Sequence, residues 1–308
     1  MEIDYVYPLY RPPSEANSLI FQITLGCSFN KCSFCNMYRT KEYSERPLEE
    51  IKKEIESMSQ LQPEVTRVFL ADGDALNVAT ENIIKILKWI KGNFKNLERI
   101  SCYSMPKNLL QKTDKELLSL KQAGLDMVYL GIESGNDTIL KKVTKGATSE
   151  MIINSCKKAK KNGFILSCMI ILGLGGKKYS NYHANDTSNI INQIEPNYLG
   201  ALTLYMEPNI EKEFYSKFSE PFQPLEDSEI LDEMETLITN TDVKEPVIFR
   251  ANHASNVYSI GGTLPQDKYK ILEKIKYLKE HPEILKPKVL RRFWLMIFFV
   301  FGKFRLKK

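Results

Sequence analysis

The stretch SLIFQITLGCSFNKCSFC, residues 18–35, joins two unlike patterns without a break. Its first half is apolar and rich in β-branched residues, as a strand buried on both faces is. Its second half puts Cys27, Cys32 and Cys35 within nine positions of a chain that has six cysteines. A buried strand therefore delivers a cysteine loop at its C-terminal end.

Five further runs of the same kind follow: VTRVFLA (65–71), RISCYSM (99–105), DMVYLGI (126–132), FILSCMIILG (164–173) and YLGALTLY (198–205). Helical periods separate them. Leu48, Ile51, Ile55 and Met58 make one apolar stripe behind Pro47, and Thr80 can cap a second helix. Thr113 or Asp114 opens a third that stops at Gly124, and Ser149 a fourth that ends near Gly163. Six strands alternating with helices predict right-handed crossovers and an α/β fold, a partial (β/α)6 TIM-type barrel of parallel strands over residues 1–205. A C-terminal α+β extension is expected over 206–285, with a helix at 224–240 and a short strand at VIF (247–249), and a basic and apolar tail over 286–308.

Ligands of parallel α/β sheets gather at the C-terminal ends of the strands. Four unusual loops fall on that rim: the cysteine loop, ADGDALN (71–77), GIESGND (131–137) and GLGGKKYS (173–180). In ADGDALN, Gly73 lets the backbone come close to a ligand, and Asp72 or Asp74 offers acceptors to an ammonium. The same stretch also reads as an ordinary Asp-Gly turn.

Composition is that of a folded protein, with 43% hydrophobic and 26% charged residues. The net charge of +5 is modest, and no basic run with interleaved aromatics marks a nucleic-acid groove in the first 280 residues. The N-terminus has no apolar h-region, so the cytosol is the expected compartment, where clustered thiols hold metal or do redox chemistry. Cys102, Cys156 and Cys168 sit singly in apolar segments and read as core.

Three thiolates suit either of two centres. Zinc takes four protein ligands in structural sites and recruits His or carboxylate in catalytic ones, yet His183, His253 and His281 all lie far along the chain. A four-iron cluster normally takes four cysteines, so three leave one iron open. A redox or scaffold module built on either centre is the alternative to an enzyme.

An open iron is where a resemblance enters. The cysteine loop is similar to that of the radical S-adenosylmethionine (SAM) superfamily, in the branch that holds the coproporphyrinogen dehydrogenase-like enzymes, the methylthiotransferases and the elongator-type acetyltransferases. It departs from the usual pattern by one residue, with four rather than three between the first two cysteines, and keeps an aromatic, Phe34, before the last. The resemblance covers residues 18–205 and implies a 4Fe-4S cluster on Cys27, Cys32 and Cys35, with SAM on the open iron. It further implies that ADGDALN receives the SAM amino group, that Glu133 in YLGIESG faces the amino group or ribose, and that Lys145 meets the carboxylate. Ile171 and Gly173 would line the adenine pocket. The activity implied is reductive cleavage of SAM to a 5′-deoxyadenosyl radical acting on an unidentified substrate, with an electron donor such as ferredoxin or flavodoxin. Tyr103 and Met169 stand where porphyrinogen-type relatives place acidic ribose ligands, which weakens the rival reading of an oxidative decarboxylase.

Two C-terminal features remain. RANHASN (250–256) can hydrogen-bond a substrate, with His253 as a candidate acid or base. From Phe293 to Phe301 the chain is apolar throughout and flanked by cations, too short to span a bilayer but suited to an anionic membrane surface. That tail adds a peripheral location at the inner face of the membrane to the expectations.

Overall fold

In the computed structural model, which describes residues 3–291, ten strands appear. They are β1 (Leu19–Gln22), β2 (Thr24–Leu25), β3 (Ser44–Glu45), β4 (Arg67–Ala71), β5 (Arg99–Ser104), β6 (Leu125–Glu133), β7 (Ile165–Leu172), β8 (Tyr198–Thr203), β9 (Val247–Ala251) and β10 (Ile260–Leu264). Eight of them form one sheet in the order β1-β4-β5-β6-β7-β8-β9-β10, mostly parallel, and β2 and β3 pair apart as a short antiparallel ribbon. The expected α/β class with parallel strands and intervening helices is what the chain adopts.

The chain divides into two compact units, Met1–Gly131 with Val143–Ser167, and Ile132–Lys142 with Cys168–Lys308. In the first, β1, β4, β5 and β6 run parallel, with Phe21 level with Leu70, Val68 with Ile100 and Cys102 with Val128. All four positions of β1 are buried, as the unbroken apolar run implied. Phe21, Phe69, Leu70, Ile83 and Leu87 fill the core without exposure above 1%, and Cys102 and Cys156 join it. The helix Asp114–Ala123 opens on Thr113, whose hydroxyl accepts from the Glu116 N–H, and closes on Gly124 in the left-handed conformation that glycine adopts without cost. The helix Thr80–Asn93 begins differently from the expectation. Thr80 is its first residue rather than its cap, and its hydroxyl donates to Glu116 Oε1 at 2.9 Å.

In the second unit β8 and β9 are parallel and β10 returns antiparallel beside β9. The expected short strand at 247–249 is thus the seventh parallel strand of the sheet, and β10 was hidden by its two glycines, which weaken any strand signal. The helices Gly176–Ile194 and Asp227–Asn240 cover this part, burying Ile190, Ile191, Leu231, Met234 and Ile238. Residues 293–301, which carry the apolar tail and its proposed membrane contact, lie outside the described residues. No helix among the described residues is long and apolar enough to cross a membrane.

Candidate cofactor site

The cysteine loop begins where β1 ends, and the loop after β4 is stitched to it. Gly26 has a φ of 72°, its N–H donates to Asp72 Oδ2 at 3.0 Å, and its carbonyl accepts the Gly73 N–H at 3.1 Å. Asp72 is fully buried and also accepts from Gln22 Nε2 at 3.1 Å and Lys41 Nζ at 2.8 Å. Burial pushes its carboxyl up, against the pull of Lys41 and Gln22. Asp72, expected to face a cofactor ammonium, instead spends its acceptors on the two ends of the cysteine loop. The close approach that Gly73 permits is made by Tyr38, since a Cβ there would stand 2.5 Å from Tyr38 Cε2 and 3.3 Å from Cys27 Cβ.

Cys27, Cys32 and Cys35 form no disulfide, and each is half-buried. The loop that carries them satisfies its own backbone. Cys35 N–H donates to Cys32 O at 3.1 Å, and Arg39 clamps both carbonyls, Nε on Cys35 O at 3.0 Å and Nη2 on Cys32 O at 2.9 Å. Asn30, in the four-residue spacer, takes a left-handed φ of 45°, which asparagine tolerates, and its Nδ2 donates to Tyr38 O at 2.8 Å. The longer spacer is folded back on the loop in this way.

A second segment closes on the loop from residues 143–146. Ser33 N–H and Oγ both donate to Val143 O, at 3.0 and 3.2 Å, and Cys32 Sγ lies 4.0 Å from Lys145 O. Gly146, with a φ of 72°, leaves the space that the Phe29 ring fills, so any side chain there would overlap that ring. Lys145 thereby reaches the thiols, and its charge bears on Cys27, whose thiol burial pushes up. Asp74, from the loop after β4, is fully buried. It accepts from Ser28 Oγ on one oxygen and has no hydrogen-bond partner for Oδ1 among the described residues. Burial pushes this carboxyl up as well, opposed by Ser28, Asn108 and Lys107. The first unit thus brings together the three cysteines, Asp72, Gly73, Asp74 and Lys145. Tyr103 belongs to an aromatic cluster with Phe69 and Tyr129, at 5.0 and 6.2 Å between ring centres.

The second unit holds the other expected residues. Glu133 ends β6 at 9% exposure with a φ of 64°, strained for a glutamate and followed by a tight turn in which Ser134 N–H donates to Ile132 O. The turn is held from the helix Gly176–Ile194. Gly135 N–H donates to Thr187 Oγ1 at 2.8 Å, and Ser134 Oγ lies 2.8 Å from His183 Nδ1. The other nitrogen of His183 meets Ile171 O at 3.0 Å. Gly173 N–H donates to Glu233 Oε1 at 2.6 Å, and Ser180 Oγ donates to Oε2 at 2.5 Å. The carbonyl of Ile171 and the N–H of Gly173 are therefore taken by the protein itself, and Ile230 Cδ1 lies 3.0 Å from where a Cβ of Gly173 would stand. Glu233, Tyr38, Lys41 and Arg39 escaped the reading of the sequence, and His183 entered it only as a histidine too distant for zinc. They act through partners about 4 to 60 residues away, and only the buried charge of Lys41 or Glu233 sets them apart, which a sequence does not display.

His253 stands at the end of β9, half-buried, with Ser255 Oγ at 2.9 Å from Nδ1. Among the described residues no carboxylate pairs with it, so the acid or base it was expected to provide has no orienting carboxylate there.

Residues 21–183 match the family described as the radical SAM superfamily, more than half of the chain. The chain belongs to that superfamily. Its cofactors are a 4Fe-4S cluster and SAM. Heme chaperone HemW of Bacillus subtilis (strain 168) is 22% identical over 183 residues, which cover 59% of this chain and 47% of that one. Among solved structures, coproporphyrinogen III oxidase (HemN) from Escherichia coli, described as a radical SAM enzyme, superposes with a TM-score of 0.56 at 18% identity over 73% of this chain and 52% of that one. Methylornithine synthase (PylB) gives 0.51 at 16% identity over 73% and 62%. The chain spans about half the length of the HemW relatives it matches.

The donor set fits the cluster. A cubane asks each thiolate to reach a different iron and, with three, leaves the fourth iron open, and three thiols carried on one clamped loop offer that donor set.

Proposed function

We propose that this protein is an enzyme that cleaves SAM reductively and passes the resulting radical to a substrate. The observation that carries this is the three-thiol loop, clamped by Arg39, by the Lys41–Asp72 pair and by residues 143–146, in a chain of this superfamily. Cys27, Cys32 and Cys35 would hold the cluster, which when bound would supply SAM with the single electron for its reductive cleavage, drawn from an external ferredoxin- or flavodoxin-type donor, and so give the enzyme its radical chemistry.

The chain's own residues bind and orient. Cys27, Cys32 and Cys35 hold three irons, and burial of Cys27 means that loading the site must also release a tightly held proton. Asp74 Oδ1, buried and unpartnered, is the acceptor for the SAM ammonium, while Asp72 keeps the two loops in register. In the first unit Lys145 is the residue the family resemblance assigns to the methionyl carboxylate; in the second it assigns Glu133 to the amino group or ribose and Ile171 and Gly173 to the adenine. The cytosol is the compartment that suits reduced thiols.

The HemW relatives bear the name of heme chaperones, so a binding protein without turnover is the second reading. Anaerobic reconstitution, iron and sulfide analysis, and an assay for 5′-deoxyadenosine under strong reductant separate the two. Full cluster and SAM binding with no cleavage would leave the second reading and remove the first.

A further inference from the structure

The loop 252–259, which joins β9 to β10, fixes one histidine in a single protonation state. Ser255 Oγ accepts the Thr203 N–H at 3.1 Å, so its own proton is directed to His253 Nδ1, 2.9 Å away. The Ser255 N–H donates to the same nitrogen at 3.2 Å. A ring with two donors on Nδ1 carries its proton on Nε2. Burial, reinforced by the charge of Lys286, lowers the pKa of the imidazole and keeps it neutral at neutral pH. His253 is thus built as an N–H donor rather than as the acid or base its sequence context suggested.

Neither end of this arrangement is used by the described residues. His253 Nε2 has no hydrogen-bond partner among the described residues, and the Lys286 ammonium forms no ion pair among them. Lys286 is nonetheless fixed to the same loop, because its N–H donates to Val257 O at 2.8 Å. Asn256 anchors the loop beneath, donating to Ala201 O at 3.0 Å and to Thr203 Oγ1 at 3.3 Å, and is fully buried. One loop thus carries a neutral donor and, tied to it at Val257, a lysine whose charge is felt at His253 and which has no ion-pair partner among the described residues.

This loop stands on the rim where β7 ends. Leu204 N–H donates to Leu172 O at 2.8 Å, and Thr203, next to it, holds Ser255. Neighbouring strands lie about 4.8 Å apart, so His253 is roughly 10 Å, two strand spacings, from the Gly173 turn. That is the reach of a small molecule.

We propose that His253 and Lys286 form a binding site for an oxyanion, a carboxylate or a phosphate, carried by the substrate. An oxyanion accepts the Nε2–H and is attracted by the ammonium, and a donor held neutral in advance needs no proton transfer to bind it. A cationic ligand would be repelled by Lys286 and would find no acceptor on Nε2. The word substrate rests on the function proposed above; the anion site itself does not.

The test uses full-length, cluster-loaded protein kept anaerobic and oxidised, with histidine labelled in 15N, in a buffer free of phosphate and carboxylate. The chain has only three histidines, so their ring resonances are separable. Without anion, His253 is expected to show the Nε2–H tautomer, and Ser255→Ala to mix the two tautomers. Inorganic phosphate and acetate are then titrated separately, at ionic strength matched with sodium chloride. Saturable movement of His253 Nε2, with His183 and His281 still, is the expected result. Lys286→Ala and the closer substitute Lys286→Gln should each weaken it by at least about five-fold. Response to phosphate alone assigns a phosphate group, and response to acetate alone a carboxylate. Absence of a His253 response to both anions, or an affinity in both Lys286 variants equal to that of the unsubstituted protein, overturns the site. SAM cleavage measured on the same samples keeps the two readings apart, because its loss with the anion response intact removes only the radical function.

Discussion

At the scale of single residues, charge that is buried decides more than charge that is exposed. Lys41 and Asp72 are 6% and 0% exposed at the side chain and 2.8 Å apart, and removing one strands the other in a low dielectric. Lys41→Ala is expected to lower stability by roughly 3 kcal/mol in urea unfolding at neutral pH and to reduce iron content, because Asp72, which anchors the Gly26 turn, loses its counter-charge. Asp74→Asn should do neither. It halves the acceptor capacity at an unpartnered buried oxygen and is expected to weaken SAM affinity by about ten-fold with the cluster retained, as isothermal titration would read. Equal iron loss in both variants would mean that Asp74 is also a strut. The cysteines divide in the same way. Alanine at Cys27, Cys32 or Cys35 should abolish iron and sulfide binding, whereas serine at Cys102, Cys156 or Cys168 should leave it, since those three are buried core.

At the scale of elements, the ends of helices and the turns after strands position the site. Glu233, on the helix Asp227–Asn240, holds the Gly173 N–H, so Glu233→Ala is expected to loosen the turn after β7. SAM affinity should fall several-fold while iron content stays constant, a split that a general loss of fold would not produce. Thr113 and Glu116 form the capping box of the helix Asp114–Ala123, and the Thr113 N–H and hydroxyl, with Thr80, hold the Glu116 carboxyl down at about 2. A depressed carboxylate stabilises the fold above its ordinary pKa near 4.5 and loses that contribution as pH falls toward 2. The acid limb of the stability profile between those values should therefore flatten in Glu116→Gln, modestly, because the group is exposed to solvent. An unchanged acid limb in that variant would assign the transition to other carboxylates.

At the scale of the whole molecule, the sheet does not end where the alternating pattern of strands and helices ends. Beyond residue 205 the chain adds β9 beside β8, with Leu199 level with Phe249, and β10 beside β9. A fragment of residues 1–205 would leave the β8 edge unpaired and would uncover the buried Leu199 and Ala201. It is expected to aggregate on expression, while the full chain elutes as a defined species in gel filtration. A soluble, cluster-binding fragment would show instead that the C-terminal third is dispensable to the core.

The sequence by itself determined the class of fold, and with the family resemblance it pointed to Cys27, Cys32 and Cys35 as the ligands to test. Buried parallel strands announce themselves by unbroken apolar runs, and three thiols within one loop need no folding to be neighbours. Lys145 was legible through resemblance alone, and the structure brings it to the cysteine loop by packing Phe29 against Gly146. What only the tertiary structure decided is which polar groups remain available. Asp72 and Asp74 are alike in sequence, two residues apart in one turn, yet one faces Gly26, Gln22 and Lys41 and the other keeps an oxygen unpartnered. His183 and His253 are both single histidines in polar surroundings. One is locked between Ser134 and Ile171, and the other holds its Nε2 open because Ser255 occupies Nδ1. Hydrogen bonds are short-ranged and saturable, so their assignment depends on contacts between residues tens of positions apart, and those contacts exist only once the chain has folded.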